Sequence, residues 1–436
     1  MAPPTRADNW IDGLRGFAAL TVVTYHICSC FADWLNSPAT ENGDVYLIQY
    51  PFFRLVSSGR AAVALFFILT GYVNSFHSIK QIRNGDQSLV LSKLSKNTLI
   101  RAGKLIVPTN IAICFTWLVC QLRGYTLANY AGSNWIRVVS PPPGPTFGDA
   151  IKGLGRNLFM FWHEGDSQYD RTYWTIPYFL KGSLLVYLTL LATTFMRPRF
   201  SKLLLVFLFL FAWSGKQALM EINIYAGMFL AELNADHGLK ATSLIPWPVS
   251  IVMMVTGLYL SSFPEEHAEW MPWSLKLHNM AGYFVPDQGE VNRYITSCGA
   301  ILFVFGVFFS RGGRRVLSFP FLNFIGRVSF PIYLLHNTLI RTILSWMIYR
   351  QSINEKGLYP VDQEDKPVLY EAGGDVTFAF AMPIFYAILI VFAYLWTVYV
   401  DPPCGRLVSW AGKQVFGEDE ELQGIRDRAL DGILKT

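Results

Sequence analysis

An arginine and a histidine stand eleven positions apart in one apolar segment near the N-terminus. Arg15 and His26 lie in the stretch that runs from Asp12 to His26. Eleven residues make very nearly three turns of an α-helix, so both side chains project from one face, about 16 Å apart along its axis. Ionisable side chains are costly inside a membrane-spanning helix, and each is therefore a functional candidate.

These two groups suit an extended ligand with an anionic head and a distant reactive group. Arginine binds phosphate with a forked geometry, and a neutral histidine takes a proton from a hydroxyl. A nucleotide-tailed thioester such as acyl-CoA has this shape. Structural alternatives stay open: Arg15 snorkels to lipid phosphates, and His26 hydrogen-bonds a neighbouring helix. Asp12 either pairs with Arg15 or only favours the start of the helix.

The elements that position these residues are predicted to be membrane-spanning helices. Of 436 residues, 52% are hydrophobic and 15% are charged, which is too apolar for ordinary soluble domains. We predict an all-α transmembrane bundle over residues 1–400 and a cytosolic tail over 401–436, the tail lying as a helix along the membrane interface. About ten spans are expected: Gly13–Phe31, Ala61–Ile79, Leu105–Leu122, Ile176–Phe195, Leu203–Trp213, Glu221–Leu233, Leu244–Ser262, Ile295–Ser310, Ser329–Tyr349 and Phe378–Val400. The fifth and sixth are short, and one broken pair is the alternative.

The distribution of charge predicts the orientation of the bundle. Lysine and arginine concentrate in residues 80–104, 197–202 and 311–315, whereas residues 265–290 and 355–375 are acidic. The three basic loops fall on one side if every span crosses, and that side is cytosolic by the positive-inside rule. We therefore expect both termini in the cytosol, in a multi-pass protein of the endoplasmic reticulum or another endomembrane.

Composition also argues against several classes of partner and cofactor. The formal net charge is only +5, and the basic residues sit in short loops without interleaved aromatics, which argues against nucleic-acid binding. Five of the six cysteines lie in apolar runs, and Cys28 and Cys30 lack a second pair at metal-binding spacing. We expect neither a metal site nor a disulfide framework.

One long connection lies on the predicted outer side. Residues Arg123 to Thr175 include the stiff Pro141 to Pro145 stretch. This segment either caps a site or binds an acceptor, or it is a solvated connector.

Five segments in order resemble the acyltransferase 3 family of membrane acyltransferases, particularly its fungal branch. The first is Asp-Gly-Leu-Arg-Gly at residues 12–16, followed by His26 in an Arg-x10-His arrangement. Any one motif is weak, but five in order are specific and cover nearly the whole chain. The other four are Val-Ala-Leu-Phe-Phe-Ile-Leu-Thr-Gly-Tyr at 63–72, Trp-Thr-Ile-Pro at 174–177, Phe-Ile-Gly-Arg-Val-Ser-Phe-Pro-Ile-Tyr-Leu-Leu-His at 324–336, and Val-Asp-Pro-Pro at 400–403.

The resemblance implies transfer of an acyl group, usually acetyl, from acyl-CoA to a hydroxyl. It implies that His26 is the catalytic base and that Arg15, with Asp12, binds the co-substrate. Acetyl-CoA is then the expected co-substrate, and no resident cofactor is implied. Trp174, His336 and Tyr72 fall in the matched segments and are candidates for substrate binding. An ordinary interhelical hydrogen bond is the alternative role for His336.

One position departs from the family pattern. A glutamate usually follows the Trp-Thr-Ile-Pro segment by two positions, whereas this chain has Phe179 there. If that carboxylate orients the histidine or binds the acceptor, another residue must replace it here.

The departure keeps rival functions open. A non-catalytic transporter would use the same charges as a translocation path, and a relay would pass acyl groups to a separate enzyme. A surface polysaccharide, a lipid and a secondary metabolite are all candidate acceptors, and the fungal likeness favours the last.

Overall fold

The computed structural model describes residues 9–364 and 366–416, and these form an all-helical bundle. The described residues contain no β-strand, only isolated bridges at Ala131 with Tyr370 and Val361 with Pro367. The α-helices are α1 Trp10–Phe31, α2 Gly59–Arg83, α3 Gln87–Gln121, α4 Thr126–Asn129, α5 Asn134–Val139, α6 Phe147–Glu164, α7 Thr175–Thr193, α8 Pro198–Ser214, α9 Glu221–His237, α10 Trp247–Ser261, α11 Pro272–Ala281, α12 Val291–Phe309, α13 Arg311–Leu317, α14 Pro320–Arg327, α15 Ser329–Leu339, α16 Ser345–Lys356, α17 Asp375–Tyr399 and α18 Asp401–Phe416.

Six helical stretches are long and apolar enough to cross a membrane. They are Trp10–Phe31, Gly59–Arg83, Gln87–Gln121, Arg171–Thr193, Val291–Phe309 and Asp375–Phe416. A seventh is counted if the bent pair Glu221–Ser243 and Trp247–Ser261, which turns by 114°, forms one span. The six coincide with the first four, the eighth and the tenth predicted spans.

The remaining predicted spans differ from the structure in specific ways. The fifth corresponds to α8, which has only 17 residues. The ninth corresponds to α15 and α16, joined by a π-helical turn over Ile340–Leu344. The broken pair involves the sixth and seventh predicted spans, not the fifth and sixth, because the helix is interrupted at residues 244–246, where Pro246 precedes α10.

Helix α1 lies between the two main hydrophobic clusters of the bundle. Trp10, Leu14, Ala18 and Val22 pack in one cluster, and a second stripe that includes Val23 packs in the other. Residues spaced by four fall on neighbouring turns of one face, so two apolar stripes run along this helix. The arginine and histidine project between helices of the bundle, since each lines an internal cavity.

Glycines allow α1 and α14 to approach at the level of the backbone. A Cβ placed on Gly16 would lie 2.8 Å from the Gly326 nitrogen, and one on Gly326 would lie 2.6 Å from the Asp12 carbonyl carbon. Both distances are shorter than real Cβ contacts. This contact places Arg15, which precedes Gly16, close to Arg327, which follows Gly326.

A buried ion pair fixes the long connection between α3 and α7. Arg341 and Asp170 have fully buried side chains, with Nη2 3.4 Å from Oδ2. The Arg341 guanidinium also donates to the Val139 carbonyl at 2.7 Å and to the Tyr169 carbonyl at 2.9 Å. Its central carbon lies 4.0 Å from the Tyr125 ring centre. Burial raises the pKa of Tyr125 to about 12, so its hydroxyl stays neutral beside the cation.

The predicted tail begins with α18, Asp401–Phe416, which confirms a helix at its start. Residues 417–436 of the tail lie outside the described residues. Cytosolic placement of both termini stays a prediction from the charge pattern.

Candidate active site

His26 lies on the wall of an internal cavity of about 380 Å³. Helices α1, α2, α5 and α12 supply lining residues, and so does the end of the outer connection through Arg171, Thr172 and Trp174. The long connection of residues 123–175 therefore forms part of the cavity wall. His26 faces the interior of the bundle and not the surrounding lipid.

Aromatic rings surround the imidazole of His26. Its ring centre lies 5.0 Å from that of Tyr25, 5.7 Å from that of Trp135 and 5.1 Å from that of His336. Rings at this spacing restrict the rotation of the imidazole. The histidine is thus held in place at the wall of a partly enclosed cavity.

His336 sits behind His26 and does not line the cavity. It is fully buried, and its Nδ1 lies 2.8 Å from the carbonyl oxygen of Tyr333. A carbonyl only accepts, so Nδ1 carries the proton and Nε2 of the neutral ring carries a lone pair. His336 Nε2 and His26 Nδ1 are both buried without a hydrogen-bond partner among the described residues.

The carboxylate of this cavity belongs to Glu265. Its Oε2 accepts a 2.5 Å hydrogen bond from the Tyr25 hydroxyl, and its Oε1 pairs with Arg60. All three residues line the cavity with His26. The network fixes Tyr25, and through its ring contact it supports the adjacent histidine.

Arg15 lines a second cavity, of about 260 Å³, that is strongly basic. Arg101, Lys104 and Arg327 share its wall, and no acidic side chain is among the described lining residues. Arg15 Nη1 lies 3.0 Å from Asp12 Oδ1, so of the two alternatives for Asp12 the structure has the pairing with Arg15. Four cations around one space favour a ligand with several negative charges, such as a polyphosphate.

Tyr333 is the one described residue that lines both cavities. Its hydroxyl donates to the Thr172 carbonyl and lies 2.7 Å from the Thr175 hydroxyl oxygen. Its own carbonyl fixes the tautomer of His336. The basic cavity and the histidine cavity thus meet at one tyrosine, with Arg15 and His26 about three helical turns apart on the helix that borders both.

Comparison with known proteins identifies the family. A family model described as an acyltransferase domain, acyltransferase 3, matches residues 8–401. This chain belongs to the acyltransferase 3 family. No solved structure matches it.

The characterised relatives of this acyltransferase 3 protein are fungal enzymes. The chain is 23% identical to O-acetyltransferase PaAT-1 of Phomopsis amygdali, over 95% of this chain and 86% of the relative. An acyltransferase of Phoma sp. is 24% identical over 77% of this chain and 83% of its own length. An acyltransferase of Cochliobolus lunatus is 22% identical over 78% of this chain and 84% of its own length. The chain is thus a membrane acyltransferase with relatives along most of its length.

The predicted substrate-binding residues of this acyltransferase 3 chain fall in different places. Trp174 lines the histidine cavity. Tyr72 lines neither cavity: it is buried, stacks on Phe76 and accepts a 2.6 Å hydrogen bond from Asn234. Tyr72 therefore packs α2 against α9.

The departure at Phe179 has a structural explanation. Phe179 lines the basic cavity and packs on Phe67 with ring centres 4.7 Å apart, so a side chain at this position faces Arg15 and not His26. Glu265, from a different part of the chain, is the carboxylate among the described lining residues of the histidine cavity.

Several site residues were missed from the sequence. Arg101 and Lys104 were assigned only to a basic loop, although their spacing of three places them on one helical face. Arg327 stood within a quoted motif and was detectable there. Nothing in the sequence pattern marks Trp135 or Glu265 as a site residue, because only the tertiary fold brings them to the histidine cavity.

Proposed function

We propose that this protein is an integral-membrane O-acyltransferase that moves an acyl group, preferably acetyl, from acyl-CoA to an acceptor hydroxyl. The observation that carries the proposal is the pair of cavities that meet at Tyr333, one basic and one containing His26. The name of the Phomopsis relative, an O-acetyltransferase, supports acetyl as the acyl group. The fungal relatives favour a secondary metabolite as acceptor over a polysaccharide.

The phosphates of CoA are proposed to bind in the basic cavity. Arg15, Arg101, Lys104 and Arg327 supply charged donors for them, with Asp12 orienting the Arg15 guanidinium. The pantetheine arm then extends past Tyr333 into the histidine cavity. Positive loops at this end of the bundle predict entry from the cytosol, with the enzyme in an endomembrane.

His26 is proposed to act as the general base. We place the ring proton on His26 Nδ1, which is buried and makes no hydrogen bond, and this leaves His26 Nε2 as the basic nitrogen. That nitrogen takes the proton of the acceptor hydroxyl as its oxygen attacks the thioester carbonyl carbon. The C–S bond breaks, and the imidazolium returns the proton to the departing thiolate, which gives free CoA and the ester.

Metabolite comparison tests the reaction directly. Cells that express the wild-type protein or His26→Ala are compared by mass spectrometry for pairs of compounds that differ by one acetyl group. Wild type should accumulate the acetylated member and His26→Ala should not, with equal amounts of folded protein in the membrane. Equal acetylation by the two proteins would remove His26 from catalysis.

Binding of CoA tests the assignment of the basic cavity independently of the acceptor. Loss of one charge-assisted contact should weaken CoA binding to purified Arg15→Gln or Arg327→Gln protein by about tenfold to a hundredfold. Arg199→Gln is the matched control, because Arg199 is an exposed cation that stacks on Phe200 and lies outside the cavity. An equal loss in all three variants would indicate non-specific attraction.

A further inference from the structure

The lining of the histidine cavity carries an excess of positive charge. Three arginines, Arg60, Arg171 and Arg293, line it, and Glu265 is the carboxylate among its described lining residues. A second carboxylate, Glu290, lies just outside the lining. A cavity that served only neutral alcohols would gain nothing from three guanidinium groups, which are costly to desolvate.

Two of the arginines are already paired. Arg60 pairs with Glu265, and its Nη1 lies 3.4 Å from Glu290 Oε2. Arg293 Nε lies 2.7 Å from the same Glu290 oxygen. Three cations against two carboxylates leave one positive charge without an internal counterion.

Arg171 supplies that charge. Its side chain is exposed, and it makes no hydrogen bond or ion pair with any other described residue. The adjoining backbone is firmly held, since Asp170 Oδ1 accepts from the Thr172 amide at 3.0 Å and from Asn337 Nδ2 at 2.7 Å. A guanidinium without a partner, at the wall of a cavity, is available to bind an anion.

The rest of the cavity defines what the anion is attached to. Trp135, Trp174 and Leu219 provide apolar surface in the cavity that Arg171 and His26 also line. A ligand that complements His26, the apolar surface and Arg171 has a hydroxyl at one end, an apolar body and a negative group at the other end. One excess positive charge matches a carboxylate better than a doubly charged phosphate monoester.

We infer that the acceptor is an amphipathic hydroxy acid whose carboxylate binds Arg171 while its hydroxyl reaches His26. This inference rests on the proposed function for the role of the hydroxyl, but binding of the carboxylate stands apart from catalysis. Arg171 is then a specificity-determining residue. The matching neutral ester loses the charge-assisted hydrogen bonds and should bind about tenfold to a hundredfold more weakly.

Calorimetric titration of purified full-length protein in nanodiscs tests the inference. The probes are ω-hydroxy carboxylates from hydroxyhexanoate to hydroxydodecanoate, their methyl esters and the ω-hydroxyalkyl phosphates of equal length. Titrations use wild type and His26→Ala, so that turnover does not obscure binding. At the best chain length, the acid should bind more tightly than both its ester and its phosphate analogue in both proteins.

Substitutions at Arg171 identify the contact. The ratio of acid to ester affinity should fall close to one in Arg171→Gln and stay intermediate in Arg171→Lys, which keeps the charge but not the fork. Arg156→Gln is the matched control: Arg156 is exposed on α6 of the same outer connection but does not line the cavity. It should keep the wild-type ratio.

The outcomes separate this inference from the proposed function. If no acid binds better than its ester, or if Arg171→Gln keeps the preference, the inference is wrong, whatever the enzyme does with CoA. Tighter binding of the phosphate overturns the assignment of a carboxylate. An acid preference that depends on Arg171, without acetyl-CoA-dependent esterification of the bound acid, supports the anion site but contradicts the proposed acyl transfer to it.

Discussion

Replacement of Gly326 by alanine should weaken both the fold and the binding of acyl-CoA. The new Cβ would lie 2.6 Å from the Asp12 carbonyl carbon, whereas ordinary contact begins at 3.4 Å, so α14 and α1 must separate by at least the 0.8 Å difference. Overpacking of this kind lowers the free energy of unfolding by about 1–3 kcal/mol. The same displacement moves Arg327 and Arg15 apart in the basic cavity, so affinity for CoA should fall as well.

Two measurements on purified protein in detergent check this prediction. Thermal unfolding reports the stability of the bundle, and calorimetric titration with CoA reports the basic cavity. Gly405→Ala is the control, because nothing lies within 4 Å of the added Cβ in helix α18. That variant should be unchanged or slightly more stable, since alanine favours a helix by about 1 kcal/mol over glycine. A Gly326→Ala protein with wild-type stability and CoA affinity would refute the proposed close contact.

Further substitutions test His336, Tyr333 and the buried pair of Arg341 and Asp170. His336→Gln should retain more of the wild-type kcat than His336→Asn, because only glutamine presents a polar atom where Nε2 lies. The KM for acetyl-CoA should be unchanged in both variants. Equal rates in initial-velocity kinetics would exclude this positioning role. Tyr333→Phe should lower the free energy of unfolding by about 1–3 kcal/mol, because the buried Thr172 carbonyl loses its donor, and thermal denaturation measures this loss. Arg341→Met leaves Asp170 as an unpaired buried charge and should lower the free energy of unfolding by about 3–5 kcal/mol. Adding Asp170→Asn to the same chain should restore part of that loss. Chemical denaturation measures both changes, and no recovery in the double variant would argue against the ion pair.

The relation between Arg15 and His26 was predictable because it depends on the period of one helix. The spacing of eleven positions needs no knowledge of other elements, and the structure places both groups on internal cavities that share Tyr333. The pairing of Asp12 with Arg15 is equally local. Residues contributed by other helices, such as Glu265 and Trp135, could not be found in this way.

The number of spans was harder to predict than their existence. Hydropathy identifies apolar stretches but does not show where a helix bends, and the chain turns by 114° at the break before α10, where Pro246 lies. Tyr72 shows a related limit. Its position in a matched segment suggested ligand binding, but its hydrogen bond to Asn234 serves helix packing.

The meeting of the two cavities at Tyr333 has a kinetic consequence for the proposed reaction. With the phosphates of CoA in the basic cavity and its thioester in the histidine cavity, the acceptor oxygen attacks the thioester directly and His26 moves only a proton. Donor and acceptor must therefore occupy the enzyme together, in a ternary complex. Double-reciprocal plots at several fixed acceptor concentrations should intersect, and parallel lines would reveal a covalent acyl-enzyme intermediate instead.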